Sequence, residues 1–396
     1  MKREWAILVF VAGTACPIFA ATEVTVAQLQ QVLDGARGKS DGKVAKQVSG
    51  FELTERVSSD RLAQWKAEFP GGHTREVLTE LADASAFLDL PVAEIPSAPV
   101  PDLEEQKLLI NMAVDYAGQA LSKLPNFYAT RETTHFEDTL SQQTLVPADA
   151  SGPRFGSRVA SMGNVALSQS EYEPLHKTGV FSQQVRYRDG HEVGDTPDRE
   201  NRGQQAAGLT TKGEFGPILF IVLRDSFTGK LMWGHWEQSA HGLVAVFAYS
   251  VPQAASHYVV QVPVAVGQEK VNPAYHGEIF IDPVKGTILR VTVTADMAPA
   301  YQAVHASILV DYAPIAIGER TYICPVNGVA LSKMPVDVSD RGLQNGPVQI
   351  RLNEVLFKDY HLFRGDARIL PDAGSGDSIA PAASSANPAA LAGTPH

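Results

Sequence analysis

The sequence predicts an α+β protein: a small N-terminal helical bundle, then a mostly antiparallel curved β-sheet (a half-barrel) packed on one or two helices. Three observations predict it. Between residues 24 and 92, apolar residues recur at spacings of three and four behind polar capping residues, as in short amphipathic helices. From 213 to 294 runs the densest apolar stretch, in which period-two alternation is interrupted by turn residues. Between these regions Pro91, Pro96, Pro99 and Pro101 punctuate a segment with neither period.

The first residues set an address. Lys2 and Arg3 precede an apolar run from Trp5 to Ala12, and Ile18-Phe19-Ala20 offers a cleavage site before Ala21. Residues 1–20 therefore read as a secretory signal, and the run is too short to remain as a membrane span. The expected product is exported, to the periplasm or the medium, with no transmembrane segment after cleavage. Of two cysteines, Cys16 falls within the signal and Cys324 is left alone, so no internal disulfide is expected. The run Gly13-Thr14-Ala15-Cys16 lacks the Leu of a lipobox, which argues against lipid anchoring at Cys16.

Residues 21–92 read as the bundle. Thr25 caps a helix bearing Leu29, Val32 and Leu33, and Ser40-Asp41 starts one with Val44, Val48 and Phe51. Ser59-Asp60 starts a third with Leu62, Trp65 and Phe69, and Thr74 caps a fourth with Val77, Leu78, Leu81 and Phe87. Trp65 and Phe69 fit core packing, and a bundle of this size suits a protein partner. Residues 93–104 form a stiff proline-rich linker, expected to hold the bundle off the second domain.

The second domain, 105–371, opens on a helix capped by Asp102 that carries Leu109, Met112, Ala113, Tyr116 and Leu121. Phe127–Phe136 alternates as a strand, and 158–167 offers either a strand or a loop. Asp189-Gly190 between Gln183–Arg188 and His191-Glu-Val is a two-residue hairpin signal. Thr211 with Glu214 suits a capping box, ahead of a helix opened by Pro217. Strands 231–237, 243–251, 257–266, 275–281 and 287–294 follow as a meander, with Asp282–Gly286 as a tight turn. Residues 306–312, 320–325 and 348–363 bring the total to nine or ten strands. From Asp372 to the end the chain is mainly Ala, Pro, Ser and Gly, a composition expected to be disordered.

Net charge is −11, and no cluster of Lys or Arg exists, which argues against a nucleic-acid partner. The chain lacks G-x-S-x-G, H-E-x-x-H, Walker A and G-x-G-x-x-G, so no catalytic residue and no cofactor are assigned. Glu132, Glu137 and Asp138 fit a charged strand edge. Cys324, within Thr-Tyr-Ile-Cys-Pro, reads as a small buried hydrophobe.

Two pairs, His235-Trp-Glu237 and His276-Gly-Glu278, each place two metal-ligand types on one strand face. Sequential strand pairing would separate the pairs by three spacings, about 14 Å, too wide for one ion. They therefore read first as solvated strand positions and only secondarily as a metal site. Trp233, Trp236, Phe247, Tyr249 and Tyr258 lie on three consecutive predicted strands. By alternation Trp233 and Trp236 face opposite ways while Phe247 and Tyr249 share a face. One set would pack on the 102–123 helix, and the other would line a groove for an apolar ligand.

The run Ile281-Asp-Pro-Val-Lys-Gly286-Thr-Ile-Leu-Arg290 resembles the DP-x-x-G-x-x-x-R turn of the LolA/RseB-like periplasmic lipoprotein-binding superfamily. Val310-Asp-Tyr, Ile317-Gly318, Tyr322 and Asn353-Glu-Val-x-Phe357-x-Asp359-Tyr extend that likeness over roughly 105–365. It implies a curved antiparallel half-barrel that wraps helices and leaves an apolar cavity. The runs LTERxSSxRLxxW, GEFGPIL, AYHGEI and YICP resemble, over nearly the whole chain, exported uncharacterised proteins of acidobacteria. That likeness implies an exported two-part protein and brings no activity with it. The functional expectation is an envelope protein that binds lipid, lipoprotein or another apolar component. The alternatives are a structural or assembly protein without a ligand cavity and, third, a metal-dependent hydrolase.

Overall fold

The computed structural model describes residues 22–139, 173–193, 209, 213–239, 242–263, 268–298, 301, 305–335 and 348–363. The expected signal segment (1–20), the 158–167 stretch, Thr211 and the tail from Asp372 lie outside them.

Four helices build the bundle: α1 (Val26–Ala36), α2 (Asp41–Val48), α3 (Ser59–Glu68) and α4 (Gly72–Ala84). Thr25 caps α1 in a capping box with Gln28, as its sequence requires. Two short strands, β1 (Thr22–Val24) and β2 (Phe51–Leu53), pair in parallel beside them, so Phe51 belongs to a strand rather than to α2. Thr74 does not cap α4. Gly71 occupies that position, and Asp41 reaches over from α2 to accept the backbone N–H of His73 and Thr74 and the Thr74 hydroxyl. The cap is thus supplied by another helix, and it fastens α2 to α4. Leu29, Leu33, Val48, Trp65 and Leu78 form a core that belongs to the bundle alone.

Asp102 caps α5 (Leu103–Ser122) in a second capping box, with Glu105. Next come β3 (Phe127–Thr139), β4 (Glu173–Arg188) and β5 (His191–Val193). Asp189 and Gly190 both adopt positive φ, 51° and 83°, which a type I′ hairpin demands at its two central residues. Helix α6 (Pro217–Thr228) opens on Pro217 after Gly216, at φ 147°, without a side-chain cap, and the Gly213 carbonyl accepts the Ile218 N–H at 3.0 Å. Glu214 is engaged elsewhere, by Arg131 at 2.7 Å.

The remaining strands are β6 (Lys230–Ser239), β7 (Gly242–Val251), β8 (Val260–Pro263), β9 (Gln268–Val271), β10 (Ala274–Ile281), β11 (Ile288–Asp296), β12 (His305–Ile317), β13 (Arg320–Pro335) and β14 (Val348–Leu362). Ten strands form one antiparallel sheet in the order β5-β4-β3-β14-β13-β12-β11-β10-β7-β6. The sheet is open, with β5 and β6 at its edges, and the chain is α+β. The expected meander is broken once: β8 and β9 pair only with each other, and β10 docks directly on β7.

Both faces of the central strands are covered, which is why β7 reads as a nearly unbroken apolar run. On one face α5 and α6 place Leu109, Ala113, Ala117, Ile218, Leu219 and Val222 against Phe247, Ile279 and Val291. On the other, Val244, Val246 and Phe280 form a smaller cluster, and Phe87 from the bundle packs near Phe136, Leu309 and Leu352.

The proline-rich segment does not hold the bundle away. Glu94 binds the Ser58 hydroxyl and Arg61, and the Pro99 carbonyl accepts a 2.7 Å hydrogen bond from Trp236 Nε1 on edge strand β6. The Glu94 carboxylate faces the bundle and the Pro99 carbonyl faces the sheet, so the segment works as a strap along the junction.

Candidate functional site

The densest group of perturbed side chains lies where the bundle meets β6, β7 and β10. Arg56, in the loop between β2 and α3, is 3% exposed and grips Glu237 of β6 with two hydrogen bonds, 3.2 and 2.8 Å. Glu278 of β10 approaches the same guanidinium at 4.0 Å, and Phe280 lies under it with the ring centroid 5.5 Å away. His235 Nε2 stands 3.6 Å from Glu237 and makes no hydrogen bond. The placement of Glu278 follows from the strand order. With β8 and β9 diverted, only β7 separates β6 from β10, so two strand spacings, about 10 Å, replace the expected three.

The two glutamates sit in contrasting environments. Burial pushes Glu237 upward, but His235 and Arg56 outweigh it and hold the carboxyl at about 2. Burial raises Glu278, opposed by Arg56 and His235. Such a split is what acid–base catalysis uses. Here, however, both oxygens of Glu237 accept from Arg56 and the two side chains are buried, so this pair works as a cross-link. His276 is not part of the group: its Nδ1 lies 2.9 Å from Asp296 Oδ1 on the exposed strand end. Among the described residues no three His, Cys, Asp or Glu side chains are placed to hold a metal ion. The reading of these positions as solvated is corrected for Glu237, which is 6% exposed.

Neighbouring ion pairs extend the junction. Arg290 binds Asp311 across β11 and β12 through two hydrogen bonds of 2.6 and 3.1 Å. This pairing explains why the sequence carries Arg and Asp at those two register-matched positions.

The five aromatics lie together on the opposite face, in or against the core closed by α5 and α6. Trp233 and Trp236 do not face opposite ways. A β-bulge sets Trp233 opposite Phe247 and His235 opposite Val246, leaving Gly234 as the extra residue. One inserted residue returns Trp236 to the side of Trp233, and their rings meet edge to face at 4.9 Å. Phe247 is buried beneath Trp233 at 5.3 Å. The Tyr249 hydroxyl donates to the Thr292 carbonyl at 2.6 Å, and Tyr258 packs on Tyr275 at 5.4 Å. A void of about 20 Å³ lined by Tyr116, Phe215, Leu219 and Tyr312 lies under α5, and none of the five lines it. A cleft of about 490 Å³, bordered by Arg37, Lys39, Asp41, Glu68 and Thr74, opens on the bundle instead.

Sequence reasoning missed a third cluster. Asp225 of α6 is buried and accepts from the His257 backbone N–H (2.8 Å), His257 Nδ1 (2.8 Å), Arg224 Nε (3.0 Å) and the Tyr275 hydroxyl (3.1 Å). Burial raises this carboxyl, but the hydrogen bonds prevail and hold it below its usual value. An aspartate directly after the apolar run Ile218–Leu223 and Arg224, on the same short helix, was the available signal. The cluster pins the 252–259 loop to α6. Arg56 was missed too, since nothing local marks its partner.

Comparison of the chain with family models, with curated proteins and with solved structures yields no match.

Proposed function

We propose that this protein is a non-enzymatic structural or assembly component of the cell envelope, exported by its N-terminal signal, with a packed sheet as scaffold. One observation carries the reading: of the aromatic side chains that would line an apolar groove, Phe247 and Tyr249 are buried in the core under α5 and α6, Trp233, Trp236 and Tyr258 pack against that core, and three of their polar or ring edges have defined partners. Burying an aromatic side chain of this kind stabilises a fold by roughly 1.5–3 kcal/mol, a gain that would be lost if the groove opened for a ligand. The bundle, with its own core and its own cleft, supplies the surface for a protein partner.

Native mass spectrometry of the mature protein from a periplasmic preparation, with solvent extraction of bound material, tests this. A clean apo mass is expected. A lipid-sized adduct that survives desalting and is lost on substitution of Phe247 or Tyr249 would replace the scaffold reading with a carrier of lipid or lipoprotein.

A further inference from the structure

Three polar side chains on the face of the sheet that carries α5 and α6 surround a gap that none of them closes. Asn353 of β14 stands opposite Ala330, a member of the core under those helices, and His135 of β3 stands opposite Asn353. Two residues along, Glu137 and Arg351 oppose each other on the same two strands and, by the period of two, share that face. The His135 side chain is 6% exposed. Asn353 fixes its tautomer: the amide Nδ2 donates to the Leu209 carbonyl at 2.9 Å, so Oδ1 accepts from His135 Nδ1 at 2.6 Å. In the neutral imidazole Nε2 then carries the lone pair.

That Nε2 makes no hydrogen bond and stands 3.8 Å from Glu137 Oε2. The same oxygen stands 3.7 Å from Arg351 Nε, a buried atom that also makes no hydrogen bond. Both distances are too long for a hydrogen bond, and short enough for one bound atom to reach both ends. The gap therefore offers two acceptors, Nε2 and Oε2, and one donor, Nε. A cation would answer the acceptors but meet Arg351, and an anion would answer Arg351 but meet Glu137. One acid and one base offset each other, so the complement is an uncharged group that both donates and accepts, which is a hydroxyl. Glu137 and Arg351 are 30% and 28% exposed, so the gap opens to solvent. His176 of β4, opposite Glu137, continues the polar row onto a third strand, a reach of about 10 Å that one water does not fill.

We propose that this gap binds a pair of neighbouring hydroxyls of a saccharide. One hydroxyl donates to His135 Nε2, and the other donates to Glu137 Oε2 and accepts from Arg351 Nε. Asn353 is a positioning residue, which holds the imidazole so that its lone pair faces the ligand.

Saturation-transfer NMR on the full chain tests this, with the methyl glycosides of glucose, galactose and mannose at millimolar concentration. Tetrahydropyran, the same ring without hydroxyls, serves as the control. Transfer to at least one glycoside and none to tetrahydropyran is expected. Glu137→Gln and Arg351→Gln should each weaken binding of that glycoside about tenfold or more, the loss expected for a hydrogen bond to a charged group. If one of these variants fails to fold, the other makes the comparison. No transfer to any of the three glycosides would leave only water in the gap and overturn the site. Equal transfer to tetrahydropyran, or binding that survives the substitutions unchanged, would overturn it too.

Discussion

Arg56 and Glu237 stand 181 residues apart in sequence and meet through two hydrogen bonds, with side chains 3% and 8% exposed. No local pattern specifies that meeting. It joins the loop after β2 to the edge strand of the sheet, and so unites two parts with separate cores.

Arg56→Ala strands a buried carboxylate and should destabilise the fold by about 3–5 kcal/mol, read as a lower denaturation midpoint. The paired change Arg56→Met/Glu237→Leu should recover most of this, because it removes both charges together. A single-variant loss below about 1 kcal/mol would show the pair to be marginal.

Acid should loosen the same contact. Glu237 is depressed in the folded state to about 2, so its stabilisation is present above the usual glutamate value and drains away as pH falls towards 2. The contribution is about 3 kcal/mol. In Glu237→Gln, stability at neutral pH should drop and the slope below pH 4.5 should flatten. An identical acid slope in wild type and variant would assign the acid response to other groups.

Gly277 explains why the second His-x-Glu pair has glycine at its centre. Tyr249 lies opposite it, and its hydroxyl crosses to the Thr292 carbonyl. A Cβ at 277 would stand 2.0 Å from that carbonyl oxygen and 2.8 Å from the Tyr249 hydroxyl. Gly277→Ala should cost about 1–3 kcal/mol or more, whereas Gly42→Ala, with open space around it, should be nearly neutral. Thermal melts of the two variants give the comparison.

Cys324 is fully buried, and burial pushes its thiol up to about 12. A maleimide should not label it in the folded protein at pH 8 and should label it at the rate of unfolding in denaturant. Fast labelling under native conditions would mean that the β13 region opens readily.

Much of the fold was legible because its signals are local. Asp189-Gly190 fixed a hairpin, Asp282–Gly286 a turn, and Asp102 a helix start, each through chemistry confined to a few residues. The site was harder. The side of the sheet that Trp236 faces depends on one bulge at Gly234, which alternation alone cannot register. The spacing of the two His-x-Glu pairs depends on β8 and β9 leaving the sheet. Asp41 caps a helix other than its own. In each case the deciding partner is distant in sequence, so a reading by windows had no access to it.

The seating of β3 against β14 has a consequence for the order of assembly. This pairing in the middle of the sheet brings His135 to Asn353, 218 residues away, at 2.6 Å. Strands β6 to β13 can associate as a contiguous block while the chain is being made, but β3, β4 and β5 must wait for β14. Closing so large a loop is slow. A ribosome-bound chain can therefore pair β3, β4 and β5 among themselves, but it holds the inner edge of β3 and the free edge of β13 open until β14 emerges to join the two blocks.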